Sequence, residues 1–179
     1  MVQDALASTM ATIGANWGPL TTELVEVART GLEVLANASP DERWLADLLH
    51  EQPDDRELYR DPRHGFVLMA HFEKAAVYRP PHDHGRSWVI YAVWQGESDM
   101  GTYGRIDGAD GKAHLVKRNS TLVRPGQAQV YLPGDIHDTL CVAAPALLLR
   151  FTERDLARED AIEHKMTRYV HRDGLWQAP

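Results

Sequence analysis

Three histidines in two short motifs have the clearest capacity for chemistry. His82 and His84 stand in the segment PPHDHG, and His137 ends the segment LPGDIH. Because residues i and i+2 of an extended strand point to the same side, His82 and His84 are expected to present both imidazoles together. A third imidazole from a neighbouring strand would complete a facial site with positions open for substrate and for water or dioxygen. His-x-His alone is a weak signal for a metal centre, because three unconnected surface histidines would show the same pattern.

The composition indicates one soluble domain. The chain has 179 residues, 44% of them hydrophobic, which is enough to bury a sizeable core. Its formal charge is −7 and its longest basic run is Lys117-Arg118, so nucleic acid is not an expected partner. The N-terminal segment lacks the pattern of a signal peptide, and no window approaches the ~20 apolar residues of a membrane span. A cytoplasmic protein without membrane contact is expected.

The cysteine content limits the metal ligands. Cys141 is the only cysteine in the chain. An internal disulfide therefore cannot form, and a thiolate-rich metal site cannot be built. Any metal must be held by histidines and carboxylates.

Two different patterns divide the chain. From residue 6 to about residue 49, apolar residues recur at three- and four-residue steps, which is the period of an amphipathic helix. Thr21 and Thr22 are candidate N-caps, because their side-chain oxygens can accept hydrogen bonds from exposed amides. Two or three helices are predicted, and we interpret residues 1–52 as a helical segment that packs on a barrel formed by residues 53–179.

The remainder of the chain has the texture of β-structure. Short apolar segments alternate there with Gly, Pro and Asp. The nine predicted strands are 66–72, 75–79, 87–94, 100–106, 113–116, 121–123, 127–132, 139–142 and 146–152. A short helix over 153–164 and a last strand through Tyr169 and Val170 are predicted to follow. Strands without intervening helical patterns imply antiparallel pairing in a sandwich or barrel, so the predicted fold class is mainly β.

The spacing around the histidines resembles the two motifs of the cupin superfamily. The first cupin motif is His-x-His, four residues, Glu, six residues and Gly. Here His82 and His84 begin the motif, Val89 takes the place of Glu, and Gly96 is in register.

The second cupin motif joins a Gly-led strand to Pro-Gly-x-x-His and, after three further residues, Asn. Gly126, Pro133, Gly134 and His137 match it, while Cys141 takes the place of Asn. The two motifs in order imply a cupin double-stranded β-helix, or jelly-roll, barrel with an N-terminal helical segment.

The missing glutamate points to one branch of this superfamily. With Val89 in its place, a divalent metal held by three histidines would keep a net charge of +2 and favour an anionic substrate. Among cupins, three-histidine sites are characteristic of thiol dioxygenases. The chain is also similar to the cysteine dioxygenase family in four segments, 58–62, 65–68, 93–96 and 103–105. The resemblance covers roughly residues 40–152.

The resemblance also implies how a substrate binds. In cysteine dioxygenases iron(II) binds the substrate thiolate and dioxygen, and an arginine grips the substrate carboxylate. Arg56 or Arg60 is implied as that arginine, because a guanidinium can bond a carboxylate bidentately; a solvated arginine in an Asp-rich loop is the alternative. Iron(II) is the implied metal, while zinc, nickel and copper stay open because imidazole binds all of them.

Two features of the family are absent. The cysteine–tyrosine crosslink of the animal enzymes cannot form, since its positions fall on Val89 and Phe151. The Ser-His-Tyr relay shared by many thiol dioxygenases would fall on Leu147, Leu149 and Phe151, which carry no hydroxyl or imidazole. The hydrogen bond that orients dioxygen must then come from elsewhere.

Three residues are candidates to replace the relay. Tyr91 shares the parity of Val89 and is expected to face the barrel interior, where it is also a candidate substrate contact. His71 aligns with a pocket-lining position of the family, and Tyr131 precedes the turn that carries His137. For each, a packed core residue with its polar tip hydrogen-bonded is the alternative interpretation.

Further side chains near the motifs have simpler expected roles. Trp88 and Trp94 have the opposite parity and are expected to pack between barrel and helices. Arg150 is interpreted as a surface or interface charge on the face opposite to the relay positions. Asp83 and Asp138 flank two of the histidines and are candidate acceptors that orient an imidazole.

Three functional hypotheses follow. The leading one is a mononuclear non-haem iron dioxygenase that oxidises a small carboxylated thiol, such as cysteine or 3-mercaptopropionate, to a sulfinate. The second keeps the three-histidine site but assigns carbon–carbon cleavage of a diketone-like substrate, or a lyase reaction with the metal as Lewis acid. The third is a non-catalytic cupin that binds a small molecule. The expected partners are a small anionic substrate and dioxygen, and a homodimer is left open.

Overall fold

Three helices lie at the N-terminal end of the described chain. A computed structural model describes residues 4–109 and 111–179. Its first helices are α1 (Ala5–Ala15), α2 (Thr22–Ala36) and α3 (Arg43–Glu51). Thr21 caps α2, because its side-chain oxygen accepts a hydrogen bond from the Leu24 amide at 3.2 Å. The prediction of two or three helices is confirmed. No helix among the described residues is long and apolar enough to cross a membrane.

The rest of the described chain folds mainly into strands. Its elements are β1 (Asp55–Arg60), β2 (Val67–Glu73), β3 (Tyr78–His82), β4 (Val89–Asp107), β5 (Ala113–Val123), β6 (Ala128–Tyr131), β7 (Ile136–Thr152), the short helix α4 (Leu156–Arg158), a π-helical turn (Glu159–Glu163), β8 (Val170–Arg172) and β9 (Leu175–Gln177). These strands pair antiparallel in the order β1-β2-β7-β4-β5-β9-β8, while β3 pairs with β7 and β6 with β4. The charged strand β1 was not predicted.

Two long strands, β4 and β7, organise the sheet. The first half of β7 pairs with β3 and its second half with β2, while β4 pairs first with β6 and then with β5. Both strands continue through register shifts near Gly96. Two strands predicted separately over 87–94 and 100–106 are therefore one bent strand, β4. The strands predicted over 139–142 and 146–152 are likewise one bent strand, β7.

The curled sheet has an inner and an outer apolar face. The inner cluster joins both halves of the long strands: Val89, Tyr91, Val93, Met100, Val123, Tyr131, Cys141, Ala146, Leu148 and Leu156. The outer cluster joins Leu32 and Leu35 of α2 to Leu149 of β7. Trp88 belongs to the outer cluster and Trp94 packs against it, as predicted. The predicted class, mainly β with N-terminal helices, is confirmed.

The bend in β7 changes which residues face inward. In the first half of β7 the inward-facing residues have odd numbers, as His137 and Cys141 do. In the second half they have even numbers, as Leu148 and Arg150 do. The pairing of β7 with β4 has three register shifts opposite residues 93–98, and the alternation of side chains changes across them. The direction of a side chain on one half of β7 therefore does not predict its direction on the other half.

This shift corrects the expected positions of the relay. Leu147, Leu149 and Phe151 are fully buried in the outer cluster with the helices, so they do not face the barrel interior. The expectation that these three residues stand in the place of the relay is wrong.

Gly96 is expected to be required for the bend. Its φ is +77°, and a Cβ at this position would lie 2.4 Å from the Ala143 carbonyl oxygen and 2.6 Å from the Ala146 Cβ. In Gly96→Ala an L side chain must adopt a positive φ, and its added methyl group would clash with Ala143 and Ala146. We therefore expect the free energy of unfolding, measured by urea titration, to fall by about 3 kcal/mol. Gly18→Ala is the control, because no atom lies within 4 Å of its added Cβ. Equal stabilities of the two variants would contradict the requirement for glycine.

Candidate metal centre

His82 and His84 are placed by the end of β3 and the turn after it. β3 ends at His82, so the expectation that one extended strand carries both histidines is wrong. Asp83 stabilises the turn, because its carboxylate accepts hydrogen bonds from the Gly85 amide at 2.9 Å and the Thr167 amide at 3.0 Å. Gly85 adopts a φ of +60°, which suits glycine. Asp83 thus bonds backbone amides and fixes the path of the chain between the two histidines.

A tight turn before β7 places His137. Gly134 in this turn has a φ of +85°. The Asp135 carboxylate accepts a hydrogen bond from the Leu132 amide at 2.7 Å, and the Asp135 amide donates to the Leu132 carbonyl at 3.0 Å. His137 then follows near the start of β7, opposite His82 in the strand pairing, and is fully buried.

The three histidines converge as the sequence predicts. Each offers one ligand nitrogen, and these nitrogens lie within 4.8 Å of one another. The Nε2 atoms of His84 and His137 are 3.4 Å apart. The ring centroids are separated by 4.6 Å for His82 and His137 and by 5.1 Å for His82 and His84. One ion can therefore contact all three rings.

The protonation of the rings suits a metal. Burial lowers the pKa of all three histidines, most strongly for His84 and His137, because desolvation disfavours the imidazolium form. His82 Nδ1 lies 2.9 Å from the Pro80 carbonyl oxygen, which can only accept, so Nδ1 carries the hydrogen and Nε2 the lone pair. Val89, in place of a fourth ligand, is fully buried. Three neutral imidazoles without a carboxylate fit a divalent transition metal.

A pocket of about 470 Å³ opens beside the histidines. The charged groups that line it are Arg79, Arg150, Asp160 and Arg168. Arg168 pairs with Asp160 at 2.7 Å, and Arg79 pairs with the buried Glu73 carboxylate. No carboxylate pairs with Arg150 in the part of the chain that the structure describes. Arg150 is therefore the cation of this pocket that is open to an anionic ligand.

The position of Arg150 corrects the interpretation of a surface or interface charge. Beyond the bend of β7 it faces inward, opposite Tyr91 of β4 and Met69 of β2. Tyr91 lines the same small cavity as Arg150, and its hydroxyl lies 3.4 Å from His84 Nε2. Tyr91 faces the interior as predicted, and burial raises its pKa, so the phenol stays neutral and can donate.

The two arginines predicted to bind substrate lie elsewhere. Arg56 pairs with Glu51, while Arg60 pairs with Glu57 at 2.6 Å and with Asp155 at 2.9 Å. Neither lines the pocket beside the histidines. Their role in substrate binding stays a prediction that their contacts do not support.

Tyr131 and Asp138 flank His137 in different ways. The Tyr131 ring stacks on the His137 ring with centroids 3.9 Å apart and an interplanar angle of 27°. Burial raises the Tyr131 pKa, so the phenol stays neutral, and its hydroxyl has no protein partner among the described residues. The catalytic role of Tyr131 stays a prediction. Asp138 accepts hydrogen bonds from the Tyr78 hydroxyl at 3.0 Å and the Tyr103 hydroxyl at 2.5 Å, so its carboxylate bonds these phenols. The candidate role of Asp138 in orienting an imidazole is not supported.

His71 faces the same interior from β2. Its Nδ1 is hydrogen-bonded to the Asp55 carboxylate, and burial, followed by repulsion from Arg150, lowers its pKa from 6.5 to about 4. Between pH 6.5 and about pH 4, His71 therefore carries a proton in the unfolded chain but not in the folded chain. The stability due to this group is present above about pH 6.5 and is lost as the pH falls towards about 4.

The lowered pKa of His71 predicts how acid changes the stability of the metal-free protein. Between about pH 7 and pH 4.5 the neutral His71 is expected to account for a loss of about 3 kcal/mol at most. Urea titrations of the wild-type chain and of His71→Gln at both pH values would measure it. The variant should lose less stability on acidification, and an equal loss in both proteins would contradict a neutral buried His71.

Comparisons with known proteins gave only weak structural similarities. A scan of protein-family models and a search of curated proteins gave no match. Among solved structures, an oxalate oxidase in complex with glycolate is 25% identical over 49% of this chain and 41% of its own, with a TM-score of 0.39. KdgF from Halomonas sp. is 18% identical over 55% of this chain and 74% of its own, with a TM-score of 0.42. The cupin domain of Schizosaccharomyces pombe Cnp3 is 10% identical over 60% of this chain and 64% of its own, with a TM-score of 0.43.

The chain thus spans less than half the length of the oxalate oxidase that it matches. These similarities are too weak to define the class of the chain. The described residues form a mainly antiparallel β-sheet that carries a three-histidine cluster suited to a transition metal.

Proposed function

We propose that this protein is a mononuclear iron(II) dioxygenase that oxidises a small carboxylated thiol to a sulfinate. One observation carries the proposal: Arg150, without a carboxylate partner among the described residues, lines the same pocket as His82 and His84. The pocket therefore combines a neutral ligand set with a free guanidinium. A substrate with two negative groups, a thiolate and a carboxylate, complements both.

The charges favour such a substrate. Three neutral imidazoles leave the charge of a divalent ion uncompensated, whereas a glutamate ligand would reduce it. When bound, iron(II) supplies a Lewis-acidic and redox-active centre for a thiolate and dioxygen. Arg150 can hold the carboxylate with a bidentate, charge-assisted pair of hydrogen bonds.

Tyr91 adds a donor on the same side of the pocket. It stands opposite Arg150 in the pairing of β4 with β7, and its hydroxyl lies beside His84. The neutral phenol can donate a hydrogen bond toward the reacting end of the substrate, the task that the missing relay would otherwise perform. Arg150 would then hold the substrate carboxylate close to this phenol.

A thiol panel tests the proposal. Protein loaded with iron(II) under anaerobic conditions is given oxygenated buffer and cysteine, 3-mercaptopropionate or cysteamine, with oxygen uptake and sulfinate measured together. We expect one dioxygen consumed per sulfinate with a carboxylated thiol and much slower uptake with cysteamine, which lacks the carboxylate. No uptake with any thiol would refute the proposal.

A metal-dependent lyase is the second candidate. The neutral Tyr91 hydroxyl beside His84 is the observation that favours it, because a phenol can serve as a general acid beside a Lewis-acidic metal. Such a lyase would turn over a carboxylated substrate equally well with and without dioxygen, while the proposed dioxygenase would stop without it.

A further inference from the structure

A second, smaller cavity adjoins the histidine cluster on the inner side of the barrel. Its volume is about 60 Å³, and it shares His82, Tyr91 and Arg150 with the metal-binding region. His71 and Thr139 line its other walls. The cavity is large enough for at least one water molecule.

Three polar atoms in the wall of this cavity have no protein partner among the described residues. They are His71 Nε2, Thr139 Oγ1 and Arg150 Nε, and all three are buried. The arginine N–H can only donate, a bare imidazole nitrogen can only accept, and a hydroxyl can do both. Leaving such groups unsatisfied costs about 1–3 kcal/mol each, whereas buried water satisfies donors and acceptors together. The chemistry of the three atoms points to water.

Asp55 fixes which nitrogen of His71 faces the cavity. The Asp55 carboxylate is bonded to His71 Nδ1 and can only accept, so Nδ1 carries the hydrogen. The lone pair of Nε2 then faces the cavity. The Asp55 side chain is 65% exposed, while that of His71 is 11% exposed. One imidazole therefore stands between a solvent-exposed carboxylate and a buried polar cavity.

The surroundings keep His71 neutral. The charged and titratable groups facing it come from every neighbouring strand: Asp55 of β1, Glu73 of β2, Arg79 and His82 of β3, Tyr91 of β4 and Arg150 of β7. Burial, Arg150 and Arg79 lower its pKa, while Asp55 acts in the opposite direction. A neutral imidazole can accept a proton on one nitrogen and release one from the other.

We propose that this cavity holds ordered water and that the Asp55–His71 pair carries protons between that water and bulk solvent. The water site depends only on the chain's own residues, whereas the use of the proton path rests on the proposed function. Converting a thiol and dioxygen to a sulfinate breaks the S–H and O–O bonds, forms two S–O bonds and releases one proton. Sulfur loses four electrons and dioxygen gains four. The released proton must leave a pocket in which Arg150 is a cation without a carboxylate partner among the described residues.

The water site and the tautomer are tested without turnover. In a crystal structure of the zinc-loaded chain at high resolution, we expect water within hydrogen-bonding distance of His71 Nε2. Imidazole ¹⁵N spectra of the same protein should show His71 with its hydrogen on Nδ1. An empty cavity, or a hydrogen on Nε2, would overturn the proposal.

Substitution of the carboxylate gives a matched pair of variants. Asp55→Leu removes the acceptor at Nδ1, so the hydrogen of His71 is no longer held on Nδ1 and its ¹⁵N spectrum is expected to change. Asp54→Leu is the control, because the Asp54 side chain is 87% exposed and pairs only loosely with Lys74 at 3.5 Å. Equal His71 spectra in the two variants would show that Asp55 does not set the tautomer, and the proton path would be rejected.

Turnover tests the path itself. With a thiol that the wild-type chain oxidises, His71→Gln and Asp55→Leu should lower kcat roughly tenfold and change its pH profile, with KM and bound iron unchanged. A wild-type profile in both variants would reject the path while the proposed function stands. If the wild-type chain oxidises no thiol, the proposed function fails, and the crystal and ¹⁵N results still decide the water site and tautomer.

Discussion

His137→Ala is expected to lower bound metal from about one ion per chain to below about a tenth. His137 is fully buried, and its Nε2 lies 3.4 Å from that of His84. Its removal leaves two imidazoles and a hole that water must fill, which weakens a site that has no carboxylate ligand to compensate. Elemental analysis after iron(II) loading and gel filtration measures the effect.

The same assay applies to His82→Ala and His84→Ala, with the exposed His50 of α3 as the control position. His50→Ala should keep the wild-type metal content. Circular dichroism of the metal-free proteins separates loss of metal from loss of fold. Wild-type metal content in any one of the three variants would remove that histidine from the site.

Arg150→Met is expected to raise KM for a carboxylated thiol roughly 100-fold while bound iron is unchanged. A charge-assisted bidentate contact contributes about 2–3 kcal/mol, and each 1.4 kcal/mol is about a factor of ten. Methionine keeps much of the side-chain volume, so the change tests the charge. Cysteamine gives an internal control, because its KM should barely differ between the variant and the wild-type chain.

The other two arginines form the matched comparison. Arg56→Met and Arg60→Met remove surface ion pairs with Glu51, Glu57 and Asp155, which contribute little to stability. We expect both variants to keep KM within about twofold of the wild-type value. A large rise of KM in either one, with Arg150→Met unaffected, would restore the assignment made from the sequence.

The metal ligands could be predicted because their motifs are local. His82 and His84 are two residues apart, and a Gly-containing turn fixes where His137 enters β7. Such short-range patterns do not depend on how distant strands pair. The mainly antiparallel β class could be predicted for the same reason, since segment length and turn residues indicate it directly.

The anion-binding side of the site could not be predicted in this way. Arg150 faces inward only because the alternation of β7 shifts opposite residues 93–98. Gly96 and Pro145 mark this region in the sequence, but they do not show by how many residues the alternation shifts. Arg56 and Arg60 were chosen by resemblance, which aligns a position in the chain but does not show its contacts. The pairing of Asp55 with His71 depends on β1, a charged strand that the apolar pattern does not indicate.

X-ray absorption of the iron(II)-loaded chain, recorded without oxygen before and after adding 3-mercaptopropionate, tests the central claim most directly. We predict three imidazole rings per iron before the thiol is added and a new sulfur shell afterwards. In His84→Ala, the number of imidazole rings and the sulfur shell should both differ from those of the wild-type chain. A spectrum with fewer than three imidazoles in the wild-type chain, or no sulfur shell with the thiol, would contradict a three-histidine centre that binds a thiolate.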